Sequence, residues 1–299
     1  MKIDFFNRYT QSMETEQVYG EGFLRWIYET SLGKVSLHAL VKRAVFSKWY
    51  GWRMNRAKSR ARVAPFVAKY GLDPNDYIAP KGGFTSFNDF FYRKLKPAAR
   101  PIFDDPNVAV FPADGRHFGF QDVSQMSGFY VKGQRFDLTR LLGSAKLAEQ
   151  FAKGSLIFSR LCPVDYHRYH FPVAGIPGEA KMLNGSLFSV NPIALQQQLA
   201  YLWENKRALT EIESPRFGKG LYLEVGATCV GSMVETYQPN QAMQRGDEKG
   251  YFRFGGSTTI LMFEPGKVTL DSDLIEWTKK QTEVYAHMGD SLGKAVSHI

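Results

Sequence analysis

Cysteine is nearly missing from this 299-residue chain: only Cys162 and Cys229 occur, far apart and without metal-ligand spacing. A disulfide framework and a cysteine zinc site are therefore not expected, and both residues read as free buried thiols in a reducing compartment. Long apolar runs are missing too. No stretch approaches the roughly 18 uninterrupted apolar residues that cross a bilayer, so no transmembrane helix is expected. The opening "MKIDFFNRYT" lacks the basic-then-apolar pattern of a secretory signal, which points to the cytosolic side. The hydrolase nucleophile elbow, G-x-S-x-G, does not occur, which disfavours an ordinary serine hydrolase. There is no repeat of fixed period and no low-complexity tract.

What is present is apolar and basic. Hydrophobic content of 44% and aromatic content of 14% indicate a globular chain able to bury a large core. The net charge of +9 is unevenly placed: Arg25 to Arg62 holds ten Lys/Arg against one acid, Glu29, and three of the five tryptophans. In that segment Leu37, Leu40, Val41, Ala44, Val45, Trp49 and Trp52 recur at three-and-four spacing, as on one face of a helix, with Lys42, Arg43 and Arg53 largely off it. Tryptophan, aliphatics and Lys/Arg together suit a helix lying on anionic lipid. The same pattern also fits an ordinary surface helix with solvated charges, or a nucleic-acid-binding one.

Beyond Gly71 and Pro74 the texture changes. Ser86 is a good N-cap with Asp89 three residues on, and Phe87, Phe90, Phe91 and Leu95 predict a short helix stopped by Pro97. Asp137 to Gly154 reads as a capped helix, while "VAVFPADG", "SLIFSRL" and "GLYLEVGATCVGSMVETY" read as strands and turns. In "GYFRFGGSTTILMFEPG", Gly250 to Gly266, a β-branched and aromatic strand is interrupted by Gly255, Gly256 and Ser257, where glycine costs stability. The predicted fold class is α+β. Residues 1–84 form a basic, helical, membrane-associating region, and residues 85–299 form a β-rich catalytic core.

Two histidines sit together in "DYHRYHFPVAG", His167 and His170. Pro163 and Pro172 bracket them too closely for a metal-binding helix, and no third ligand lies nearby, so acid–base chemistry fits better than zinc. Two structural histidines satisfied by backbone partners are the plain alternative. Asp114 in "PADG" and Ser257 in "GGST" are, taken singly, ordinary turn residues. A Ser/His/Asp set can be assembled from almost any chain of this length, so the types alone decide nothing.

The order of the motifs decides more. "SFNDFFYRKLKPAARPI" (86–102), "PADG" (112–115), "FDLTRLLG" (136–143), "DYHRYHFPVAG" (165–175), "GSLFSVNPIAL" (185–195), "VGATCVGSM" (225–233) and "EKGYFRFGGSTTILMFEPGKV" (248–268) run in sequence. From about residue 85 onward the chain resembles the phosphatidylserine decarboxylases in their shorter bacterial proenzyme form. The first 80 residues are similar only in being helical, basic and aromatic. The resemblance implies that the Gly256–Ser257 bond cuts itself, giving a β chain of residues 1–256 and an α chain of residues 257–299. Ser257 would become a covalent pyruvoyl cofactor, which binds the substrate amine as a Schiff base and needs no metal. It implies His170 as the base for the cut with Asp114 orienting it, and His167 as the group assisting decarboxylation and protonation. The implied partners are phosphatidylserine, an anionic phospholipid membrane on the cytoplasmic face, and a second αβ unit in a homodimer, with no nucleic acid. Many members carry leucine where this chain has Gly255; the Gly-Gly-Ser-Thr form is at home in the shorter bacterial group. Two rivals keep part of this picture: a pyruvoyl decarboxylase of a free amino acid, and a membrane-binding homologue that is never cut.

Overall fold

A computed structural model describes residues 2–41, 44–126, 136–227, 233–255 and 257–296. Lys42, Arg43, Cys229, Gly256 and the side chains of Leu40 and Ala44, all of which carried expectations above, lie outside the described residues.

The most apolar runs make the centre. Ser155–Leu161 and Ser257–Phe263 are buried along their whole length because the sheet is covered on both faces. They pair antiparallel in a ten-stranded sheet. Its order is Lys181–Leu183, Arg207–Ser214, Gly218–Val225, Ser257–Phe263, Ser155–Leu161, Gly115–Phe120, Glu283–Ala286, Asp4–Asn7 and Ser12–Thr15, with Ile176–Pro177 beside Arg207–Ser214. Side-chain alternation along Ser257–Phe263 feeds two cores. Ile260 and Met262 join Phe158 and Leu223 on one face, and Leu261 and Phe263 join Phe111 and Tyr169 on the other.

On that second face lies a three-stranded sheet, Met233–Glu235, Glu248–Phe252 and Arg168–His170. The stretch read as one interrupted strand is therefore two strands in two sheets. Glu248–Phe252 belongs to the small sheet and Ser257–Phe263 to the large one. The chain crosses between them after Phe252, and Gly255 takes φ = +135°, a conformation that side chains with a Cβ rarely adopt. Beneath the crossing the fully buried Lys249 ammonium lies 2.8 Å from both Glu224 and Glu235, ringed by Tyr169, Tyr222 and Tyr237.

The expected α+β character holds: the fold is mixed helix and strand around a large sheet. The N-terminal region differs from expectation at its start. Residues 4–15 form a hairpin on the edge of the main sheet, and helices begin only at Glu21. The single apolar stripe also splits. Leu37 and Val41 point into the core, whereas Val45, Trp49 and Trp52 are exposed on the helix Ala44–Asn55, alongside exposed Phe23, Trp26 and Leu32. Among the described residues no helix is long and apolar enough to cross a membrane.

Two helix boundaries moved. Ser86 Oγ caps Phe87–Phe91 by accepting from the Asp89 N–H, but the helix ends at Tyr92 and Leu95 enters a short strand. Asp137 caps Leu138–Leu142 as expected. Gly143, left-handed at φ = +64°, stops it, and Ser144 caps a second helix, Ala145–Gln150. A cluster of Met54 with Phe66, Phe84, Phe87, Phe90, Phe91 and Phe254 joins the N-terminal helices to the crossing.

Candidate active site

Ser257 opens a central strand, paired with Leu161 on one side, and is fully buried. The next residues bring a histidine back over it. After Leu161 the chain turns tightly: the Asp165 N–H donates to the Cys162 carbonyl (2.9 Å) and the Cys162 N–H to the Asp165 carboxylate (2.6 Å). Arg116 locks that carboxylate from the other side at 2.6 and 2.8 Å. His167 then lies with Nδ1 3.3 Å from Ser257 Oγ and Nε2 2.8 Å from the Cys162 carbonyl, its ring stacked on Phe91.

That geometry fixes the tautomer. A carbonyl oxygen can only accept, so Nε2 carries the proton and Nδ1 presents its lone pair to the serine hydroxyl. Burial pushes the imidazole down to about pKa 3, a fall that nearby Arg93 reinforces and the Cys162 hydrogen bond only partly opposes. His167 is thus neutral, and its free nitrogen faces a hydroxyl.

His170 faces elsewhere. Its Nδ1 donates to the Gly246 carbonyl (2.9 Å) and the Tyr166 hydroxyl donates to its Nε2 (3.2 Å), while burial holds it neutral by lowering its pKa. Asp114 accepts from Arg100 at 2.6 and 2.9 Å and from the Met288 N–H at 2.9 Å. Burial works to raise this carboxyl, and Arg100 more than offsets it, so Asp114 stays ionised. The hydrogen-bonded Ser257–His170–Asp114 relay expected from the resemblance is thus not formed among the described residues; the ring against Ser257 belongs to His167. The reason is the three-residue spacing: in extended chain, positions three apart point to opposite faces. Gly256, the other half of the expected cleavage site, lies outside the described residues.

Sequence reasoning missed the support beneath the site. Arg160, buried on the strand beside Ser257, pairs with Glu283 and, at 2.6 Å, with Glu16 just past the N-terminal hairpin, and donates to the Cys162 thiol. A lone charge inside the apolar run "SLIFSRL" was the available signal. Burial pushes Glu16 up, and Arg160 and Arg116 more than offset it, holding its carboxyl at about pKa 2. The Thr258 hydroxyl, next to Ser257, is buried without a partner among the described residues. A cavity of about 370 Å³ opens beside the crossing, lined by Leu161, Cys162, Phe254 and Gly255 within and by Phe23 and Trp49 toward the exposed aromatic helices. Among the described residues no group of three His, Cys, Asp or Glu side chains could hold a metal ion.

Residues 87–294 match the family model described as phosphatidylserine decarboxylase. The chain belongs to the phosphatidylserine decarboxylase family. Curated relatives extend the likeness over nearly the whole length. A protein of Clostridium novyi named phosphatidylserine decarboxylase proenzyme is 43% identical over 291 residues, covering 97% of this chain and 99% of its own. Proteins of the same name from Chlamydia pneumoniae (42%, covering 98% of both chains) and Fusobacterium nucleatum (41%, covering 98% and 97%) are similar to the same extent. The family model begins at Phe87, so the hairpin and N-terminal helices fall outside it but inside the full-length likeness.

Proposed function

We propose that this chain is a self-processing enzyme that decarboxylates phosphatidylserine to phosphatidylethanolamine with a pyruvoyl group made from Ser257. The observation that carries the proposal is the buried Ser257 hydroxyl 3.3 Å from the proton-accepting Nδ1 of His167, at the crossing between two sheets. The names of the relatives supply the substrate. The residues present fit the group: the serine is buried, and the adjoining Thr258 hydroxyl has no partner among the described residues.

In the cut, Ser257 Oγ attacks the Gly256 carbonyl carbon while His167 Nδ1 takes the hydroxyl proton. The peptide C–N bond breaks, the nitrogen gains a proton, and an ester remains. Loss of the α-proton of residue 257 and rupture of its Cβ–O bond release the Gly256 carboxylate and leave a double bond. Tautomerisation and addition of water expel ammonia and leave the carbonyl. Once formed, the pyruvoyl group supplies the electron sink for loss of carbon dioxide. His167 Nδ1, held toward the reacting position by Phe91 and the Cys162 carbonyl, is the atom from which a proton can return to the substrate carbon. His170 and Asp114 act in this scheme as positioning residues, fixing Gly246 and Tyr166 in one case and Arg100 and the Met288 backbone in the other.

The cavity beside Gly255 supports a lipid substrate over a free amino acid. Its mouth is edged by two exposed aromatic residues, Phe23 just ahead of the strongly basic segment and Trp49 within it. Such a face suits peripheral binding to anionic lipid on the cytoplasmic side of the membrane. The resemblance further implies a homodimer of αβ units, which light scattering of the cut enzyme would read. The functional test is turnover on vesicles. The protein should float with liposomes of anionic lipid and release carbon dioxide from phosphatidylserine, whereas Ser257→Ala should float and release none. Equal or faster release from free serine would move the assignment to the soluble-substrate rival.

A further inference from the structure

The two sides of the Gly256–Ser257 bond are held differently. Ser257 is paired with Leu161 on one neighbouring strand, and from Thr258 onward its own strand is paired on both sides. The other side leaves the small sheet at Phe252, whose N–H donates to the His167 carbonyl at 2.9 Å, and then runs through Arg253 to two glycines. Glycines are the least constrained residues, so this arm needs an anchor of its own if the Gly256 carbonyl is to meet Oγ.

Asn88 supplies one. It is fully buried in the helix Phe87–Phe91, and its Oδ1 accepts from the Phe254 N–H at 2.9 Å. Its Nδ2 donates to Asn55 Oδ1 at 2.7 Å, which fixes the amide with its oxygen toward Phe254. The Phe254 ring sits in a socket of Phe91, Phe87, Tyr50 and Tyr19, at centroid distances of 4.8, 5.3, 5.6 and 6.0 Å. Between two sheets the buried Phe254 N–H has no strand to pair with, and an unmet buried donor is costly. Asn88 meets it, two residues before the carbonyl that Ser257 must reach. Phe91, on the same helix, stacks on His167, so one short element aligns the base and the bond to be cut.

We propose that Asn88 is a positioning residue for self-cleavage, holding Phe254 and the two glycines behind it against Ser257. It has no part in decarboxylation once the chain is cut. The proposal rests on the reading that the bond after Gly256 cuts itself. Misplacing a reacting group by about 1 Å can cost a factor on the order of a hundred in rate. Freshly made Asn88→Ala is therefore expected to form two chains roughly ten- to a hundredfold more slowly than wild type, followed by intact mass. Asn88→Asp, which keeps an oxygen facing the Phe254 N–H, should recover most of that loss. Turnover per pyruvoyl group, measured on whatever fraction is cut, should match wild type in both.

Wild type run in parallel separates the two ways of failing. Uncut wild type defeats the self-cleavage reading itself, whereas cut wild type with an equally fast Asn88→Ala overturns the role of Asn88. A fall in turnover per pyruvoyl group that matches the fall in cutting also overturns it, because the residue would then serve the site in general. If Asn88→Ala does not fold, Asn88→Asp still decides: cutting as slow as the alanine range would assign the effect to the Asn55 contact and refute the proposal.

Discussion

Glu16 is the most exacting place to test the electrostatics under the site. It follows directly on the hairpin at the sheet edge, yet its carboxylate reaches Arg160 at 2.6 Å and Arg116 at 3.6 Å, both nearly inaccessible to water. Its carboxyl is held at about 2 against an ordinary 4.5. At about 1.4 kcal/mol per pKa unit, that difference is worth about 3 kcal/mol at neutral pH. Because the folded-state value is the lower one, the stabilisation is fully present above pH 4.5 and fades as pH falls toward 2. Glu16→Gln keeps the shape and removes the charge. The comparison belongs in the uncut Ser257→Ala protein, where one chain unfolds and two chains do not complicate the transition. We expect Glu16→Gln to cost about 3 kcal/mol at pH 7, or roughly 6 °C of melting temperature in a chain of this size. The gap should shrink to about 1.5 kcal/mol at pH 3 as wild-type Glu16 begins to protonate. Urea unfolding at the two pH values reads both numbers. A gap under 1 kcal/mol at pH 7, or one that does not narrow in acid, would refute the reasoning.

Four further outcomes follow from the geometry. His167→Ala should abolish or severely slow the cut, and His170→Ala should slow it less, as intact mass over time will show; the reverse ranking would restore His170 as the base. With His167 neutral down to about pH 3, the cutting rate should be level from pH 8 to 5, and a drop centred near 6.5 would contradict a buried acceptor. Gly255→Leu forces a Cβ into φ = +135°, a strain of about 1–3 kcal/mol. Where that strain falls on the cutting geometry, each 1.4 kcal/mol slows the reaction about tenfold, and an unchanged rate would show that the crossing relaxes. After cutting, residues 257–296 still supply Ser257–Phe263 between two strands and Glu283–Ala286 between two others. The two chains should therefore elute together without denaturant, and separate elution would contradict the fold.

The parts legible in sequence were those carried by neighbouring residues. Ser86 and Asp137 announced their helices by side chains that cap, and the run from Thr258 to Phe263 announced a strand buried on both faces. Ser257 stood out because two glycines and a serine fit no strand interior. Their meaning was hidden, because only the three-dimensional path shows Glu248–Phe252 and Ser257–Phe263 entering different sheets. The histidine roles were ambiguous for a related reason. Their spacing says that the two rings diverge, but it does not say which one meets Ser257, a matter settled by the Cys162–Asp165 turn. Glu16, Asn88 and Arg160 reach partners 123 to 166 positions away along the chain, and no local pattern marks such partners.

The central claim is that Ser257 is consumed to make the catalytic group. Intact mass of the purified protein before and after borohydride tests it most directly. The account predicts two chains divided after Gly256, the smaller one blocked by a carbonyl at its first residue and gaining mass on reduction. Ser257→Ala should remain one chain near 34.0 kDa. A wild-type protein that stays whole and does not react with borohydride would contradict it.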